Sequence, residues 1–208
     1  MRMYIALEGT KGTGKSTLLE ALKLKLQQEK IDFQIFAPTK TMPQDSWWEK
    51  AYTDYCQDDV YLESLYTARA NFHASQIDFK HNLILGDRSI LTSFVTRWPH
   101  QDHHQLADYL NYIQKKEFLV PLPDLVLYLD LPLEITLQRL SQRKRQYGLY
   151  DEQAERLLQA KNAYETLLQH KNQLGFTQMQ YQIVDAGQKQ EDLLQNVYAL
   201  VIQQLENC

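Results

Sequence analysis

Residues 8–17 read EGTKGTGKST, from Glu8 to Thr17. Three glycines, two lysines and three threonines share these ten positions, directly after the apolar run Met3-Tyr4-Ile5-Ala6-Leu7. Beyond them Leu18, Leu19, Leu22 and Leu26 recur at helical spacing and predict one buried face of a helix. A short buried strand, a glycine-rich turn and a helix therefore follow one another, and the turn is built to hold something.

The spacing Gly9-x-x-x-x-Gly14-Lys15-Ser16 fits the phosphate-binding loop, or P-loop. Glycines let the backbone turn so that successive N–H groups face inward at phosphate oxygens. The following helix adds roughly half a positive charge at its N-terminus. Lys15 is expected to reach the outer phosphates, and the Ser16 hydroxyl to ligate Mg2+. Gly9, Thr10, Lys11, Gly12, Thr13, Gly14, Lys15, Ser16 and Thr17 are thus expected to bind the triphosphate of ATP.

Working outward, four more apolar runs read as buried strands: Phe33–Phe36, Leu83–Gly86, Leu125–Leu129 and Tyr181–Val184. Helical patterns cover 59–80, 103–119, 132–146, 151–174 and 189–206, whereas 37–48, with Pro38 and Pro43, reads as an irregular loop. Strands alternating with helices predict an α/β fold, a parallel sheet covered on both faces. At 208 residues the chain is expected to be a single domain. A formal net charge of -4 argues against a general nucleic-acid binder. Cys56 and Cys208 are too few and too far apart for a disulfide framework or a zinc site. No run approaches the ~18 apolar residues of a membrane helix, so the expected setting is cytoplasmic, with no membrane partner.

Cations mark the rest of the chemistry. Arg69 shares a helical stripe with Leu62, Leu65 and Phe72, where a guanidinium is costly unless an anion meets it. Asp87-Arg88 follows the third apolar run, and ligands of open α/β sheets collect at strand carboxyl ends. Asp87 is therefore expected near magnesium and Arg88 near transferring phosphates. Arg139, Arg143, Lys144 and Arg145 form a basic run ahead of Gly148, a possible hinge. Beside a P-loop such a run predicts a lid, at about 139–150, whose arginines neutralise charge when it closes. Lys15, Arg88, Arg143 and Arg145 are the expected catalytic cations.

These stretches together resemble thymidylate kinase, a nucleoside-monophosphate kinase family, over nearly the whole chain. IALEGTKGTGKST resembles its first strand and P-loop, SLYTARANFHA its helix with an arginine and an amide (here Arg69 and Asn71), and ILGDRS its Asp-Arg motif. PDLVLYLDLPLEITLQRLSQR is similar to its fourth strand and lid helix, and YDEQAERLLQAKNAYETLL to the helix after the lid, with Tyr164 in place. IVDAGQKQEDLL is similar to its adenine loop, here Asp185-Ala186-Gly187, which implies that Ala186 and Gly187 bind ATP, with Arg139 also on the ATP side. The resemblance implies a P-loop kinase fold with a five-stranded parallel sheet and a short lid. It also implies homodimers and phosphorylation of dTMP to dTDP, with Arg69, Asn71, Arg88, Thr92 and Phe94 around the acceptor.

The acceptor side departs from the family pattern. Lys11 stands where an acidic P-loop residue is usual, Pro38-Thr39-Lys40 replaces Arg-Glu-Pro, and Phe94 falls where a base-reading amide is expected. A deoxynucleoside kinase is the alternative, since its motif also reads close to Asp-Arg-Ser. Its sugar-hydroxyl acceptor needs a general base, and no acidic residue lies between Pro38 and Gln44, although Asp45 is close. A monophosphate, with its second pKa near ~6, needs no such base. A nucleotide-binding protein without chemistry is the third reading, and the lid cations argue against it. His100, His103 and His104 beside Asp102 read as a solvated helix start. Trp47 and Trp48 are expected either at the core edge or at the acceptor pocket.

Overall fold

A computed structural model describes residues 2–96, 103–143 and 152–206, the side chains of 103–105 excepted. Five strands, β1 (Met3–Glu8), β2 (Gln34–Phe36), β3 (Leu83–Asp87), β4 (Leu125–Asp130) and β5 (Gln180–Asp185), form one sheet in the order β2-β3-β1-β4-β5. Every pairing is parallel, with Met3 opposite Leu83, Ile5 opposite Leu125 and Leu125 opposite Gln180. The expected five-stranded parallel α/β architecture is therefore what the chain forms.

Alternation along β1 divides the core. Met3, Ile5 and Leu7 face α1 (Lys15–Gln28) and α9 (Gln190–Glu206), packing with Leu18, Leu22, Leu26, Val197 and Val201. Tyr4 and Ala6 face the opposite layer, which α5 (Ile90–Thr96), α6 (His103–Lys116) and α8 (Ala154–Gln169) build from Leu91, Phe94, Leu110, Ile113 and Tyr164. Burial on both faces is why the central strands read as unbroken apolar runs. β5 is different. It lies at the sheet edge, and of its residues only Val184 is buried, so the expectation of a fully buried strand there gives way to an edge strand.

A third, smaller cluster lies outside these layers. Met42, Tyr61, Leu62 and Leu65 pack with Trp48 and Tyr52, joining α4 (Asp59–Ala74) to the segment before it. The stretch 37–48, expected to be irregular, carries no helix or strand up to Ser46; from Trp47 the chain forms two one-turn helices, α2 (Trp47–Lys50) and α3 (Tyr52–Tyr55). Ser46 caps α2 by accepting from the Glu49 N–H at 3.3 Å. Trp48 covers this cluster while Trp47 is exposed. The remaining helix, α7 (Leu133–Ser141), follows β4 and leads into the expected lid. Lys144, Arg145 and Gly148 lie outside the described residues, as do His100, Asp102 and Cys208. Among the described residues no helix is long and apolar enough to cross a membrane.

Candidate active site

In the strand order, the connection after β1 runs to β2 on one side, while β4 lies on the other. The crevice beyond β1 is the topological switch point, where ligands of such sheets bind. The P-loop lies there. Gly9 has φ 139° and its missing Cβ would meet the Leu129 carbonyl oxygen at 2.7 Å, so no other residue fits. Gly14, at φ 95°, is the N-cap of α1 and offers no side-chain cap. The first helical bond runs from the Leu18 N–H to the Gly14 carbonyl, leaving the preceding amides for an anion.

Lys15 is buried under this loop. Its Nζ donates to the carbonyls of Gly9 (2.8 Å) and Thr10 (2.6 Å) and to Thr13 Oγ1 (3.1 Å). Burial, and then the charge of Arg88, push its pKa well below the ordinary lysine value. A cation held in this way is stabilised by an arriving phosphate.

Three cavities adjoin the loop. The largest, about 1090 Å³, takes in Lys15, Ser16, Thr17, Asp87, Arg88 and Arg143. A second, about 640 Å³, shares Lys11, Thr39 and Arg88 with it and adds Thr10, Arg69 and Thr92. A third, about 280 Å³, is bounded by Gly12, Thr13, Gly14, Arg139, Arg143 and Ala186. There Arg139 Nη2 donates to the Ala186 carbonyl at 3.2 Å, joining α7 to the loop after β5. Gly187 is exposed beside it, its N–H donating to Asp185 Oδ1 at 2.7 Å. Arg143 Nη1 lies 3.9 Å from Glu152 Oε1.

The second cavity is strongly cationic. Lys11, Lys50, Arg69, Arg88 and Arg156 line it against one carboxylate, Glu49. That carboxylate went unnoticed in the sequence. Glu49 grips Arg69 in a bidentate pair, Nε to Oε1 at 2.7 Å and Nη2 to Oε2 at 2.6 Å, and both side chains are nearly buried. Burial pushes the Glu49 carboxyl up, but hydrogen bonds from Arg69 and the Met42 N–H outweigh it and leave the pKa below the ordinary value. The anion expected for Arg69 is thus internal. Ser46-Trp-Trp-Glu49 is a capping-box pattern, and it was the available hint that this stretch turns inward.

Two residues expected around the acceptor are elsewhere. Asn71 does not line the cavity; its amide donates to the Lys116 carbonyl at 2.7 Å and accepts from the Leu119 N–H at 3.3 Å, tying α4 to the end of α6. Phe94 is fully buried and stacks on Phe176, with ring centres 6.0 Å apart. Arg69, Arg88 and Thr92 do converge.

Glu8 is the other residue that sequence reasoning passed over. It is fully buried at the end of β1. Oε1 accepts from the Ser89 N–H and Oγ, both at 2.7 Å, and Oε2 from Thr92 Oγ1 at 2.9 Å and the Tyr164 hydroxyl at 2.7 Å. Between Glu8 and Ser89 stands Arg88 at φ 76°. That left-handed conformation costs a non-glycine residue roughly 1–2 kcal/mol. Arg88 Nη1 donates to the Gly9 carbonyl at 3.2 Å and to Thr92 Oγ1 at 3.1 Å.

A family model described as deoxynucleoside kinase matches residues 5–202. The thymidylate kinase of Mesoplasma florum is 24% identical over 215 residues, covering 98% of this chain and 97% of that one. Probable thymidylate kinase 1 of Saccharolobus solfataricus is 24% identical, covering 97% of each chain. The probable thymidylate kinase of Methanobrevibacter smithii is 32% identical over 151 residues, covering 67% of this chain and 69% of that one.

Proposed function

The chain belongs to the deoxynucleoside kinase family of nucleoside and nucleotide kinases, and from that premise we propose that it transfers the γ-phosphoryl group of ATP to a pyrimidine deoxynucleoside monophosphate, dTMP first. The observation that carries this reading is the charge of the second cavity, whose lining has five cationic side chains and one carboxylate, with Arg69 paired to Glu49 and Arg156 to Asp59. Such a lining suits an acceptor that brings its own negative charge, and the relatives named thymidylate kinase support the same choice.

In this reading the P-loop amides and Lys15 hold the donor phosphates in the first cavity. Arg88 and Lys11, common to both cavities, offset charge where the phosphoryl group passes between them. Ser16 and Asp87 line the donor cavity together. Among the described residues no three His, Cys, Asp or Glu side chains gather as a metal cage. A nucleotide-borne Mg2+ needs only one or two protein groups, so the hydroxyl and carboxylate fit it. Bound there, the ion would supply charge neutralisation between the outer phosphates. The Arg69–Glu49 pair forms part of the acceptor wall rather than a phosphate clamp. Arg143 and Arg139 complete the ATP side.

Glu49 favours a second reading. A carboxylate in the acceptor cavity could take the proton of a 5′-hydroxyl, which a free deoxynucleoside requires. One panel decides: ATP and magnesium with each nucleoside and each nucleoside monophosphate, products identified. Conversion of dTMP to dTDP as the fastest reaction is expected. Conversion of thymidine to dTMP, with every monophosphate ignored, would replace the first reading by the second.

A further inference from the structure

We propose that Glu8 is a positioning residue for phosphoryl transfer: it holds Arg88 in its left-handed conformation and sets the direction of the hydrogen bonds that aim the guanidinium at the P-loop. This role rests on Arg88 acting on the transferring phosphate, as set out above.

The backbone on both sides of Arg88 is tied to the end of β1. Its own N–H donates to the Leu7 carbonyl at 3.1 Å. The next residue, Ser89, is clamped to Glu8 through both its N–H and its hydroxyl. Two residues earlier, Gly86 leaves no room for a side chain, since a Cβ there would meet the Arg88 carbonyl oxygen at 2.6 Å. A strained φ persists only where its surroundings over-determine it, and here Glu8 supplies the two side-chain bonds that fix the residue after Arg88.

The carboxylate also sets hydrogen-bond polarity. A threonine hydroxyl has one proton, and that of Thr92 goes to Glu8 Oε2. Its lone pairs are therefore left for Arg88 Nη1. The Tyr164 hydroxyl donates to the same Oε2 and lies 3.1 Å from Thr92 Oγ1, so α8 closes the far side of the cluster. With an acceptor-only group at the centre, the surrounding hydroxyl protons point inward. A glutamine has nearly the same shape but brings an N–H to this place. The Thr92 and Tyr164 protons that end on Oε2 would then both need a new acceptor, and the 3.1 Å contact between the two hydroxyls takes only one of them, so the polarity of the cluster that holds Arg88 is broken.

Glu8→Gln tests this. The variant is expected to lose about 10–100-fold in kcat while the ATP KM stays within about threefold, because the P-loop amides and the Lys15 hydrogen bonds keep their places although Lys15 loses the favourable charge of Glu8. Its crystal structure should show Arg88 released from Thr92. In an Arg88→Ala background, Glu8→Gln should cost less than about threefold more, since residues acting as one unit are not additive. Thr92→Val keeps the shape and removes only the relay hydroxyl, and should reproduce the kcat loss if Glu8→Gln does not fold. Multiplying losses in the double variant, or an Arg88 that keeps both contacts in the Glu8→Gln crystal, would overturn the role. A wild type inert toward every acceptor sinks the kinase reading instead, and the crystal still judges Glu8.

Discussion

At the scale of single residues, what distinguishes this site is which cations already have partners. Lys15 is spent on its own loop, on the Gly9 and Thr10 carbonyls and Thr13, and burial works against its charge. A triphosphate supplies what the loop lacks. Lys15→Ala should therefore lower kcat by about 10²–10³-fold while the nucleotide-free protein melts within a few degrees of wild type, because a desolvated charge is removed along with its bonds. Steady-state kinetics beside a melting curve checks it; unchanged turnover would remove Lys15 from the mechanism. Glu49 behaves in the opposite way. Deleting it in Glu49→Ala leaves the nearly buried Arg69 unpaired, at a cost of about 3–5 kcal/mol by denaturant titration. The isosteric Glu49→Gln separates the two functional readings. With a monophosphate acceptor kcat should change little, whereas a general base would cost about 10²–10⁴-fold.

Elements show where sequence reading works and where it stops. The P-loop, β1 and α1 were legible because strand, turn and helix signals are contiguous and each has a local cause. α5 was not: Ile90 to Val95 are all buried, so no amphipathic period marks it. The wall made by α2 and α3 was hidden behind Pro43, and its worth depends on Arg69, twenty residues away. Glu8 is the extreme case, since its partners lie 81 to 156 residues along the chain. No local pattern can announce contacts of that range. The proposed lid belongs to this scale too. Arg143 reaches both the largest cavity and the one bounded by Arg139. Arg143→Ala should lower kcat more than it raises the ATP KM, because lid cations act mainly in the closed state. Equal, small changes in both would make the basic run a solvated helix face. Just past α6, Glu117 is buried, with Ser93, among the described residues, as its one polar neighbour that favours the charged form and too little to offset burial. Burial raises its pKa to about 8. The folded state therefore keeps a proton that the unfolded chain releases near the usual carboxylate pKa, so stability falls as pH rises toward 8. Glu117→Gln should flatten that slope, and its melting temperature should exceed wild type by more at pH 8 than at pH 5.

For the molecule as a whole, the decisive feature is that the two larger cavities, proposed for donor and acceptor, meet at Lys11, Thr39 and Arg88. Ligands that fill both cavities bind only the folded chain, so they stabilise it by mass action. At a free concentration of one hundred times Kd each contributes about 2.7 kcal/mol. For a chain of this length that is a rise in melting temperature of about 5–10 °C. A non-hydrolysable ATP analogue with magnesium should give the first increment. Adding dTMP should then give a second, and thymidine a clearly smaller one, because only the nucleotide offers charge to the cationic wall. Salt should separate the two acceptors further. The dTMP increment should shrink between low and physiological ionic strength as its charge contacts are screened, whereas any thymidine increment should hardly move. A thymidine increment equal to or larger than that of dTMP, insensitive to salt, would mean that the cations serve the donor alone. Glu49 would then be the residue around which the acceptor is arranged.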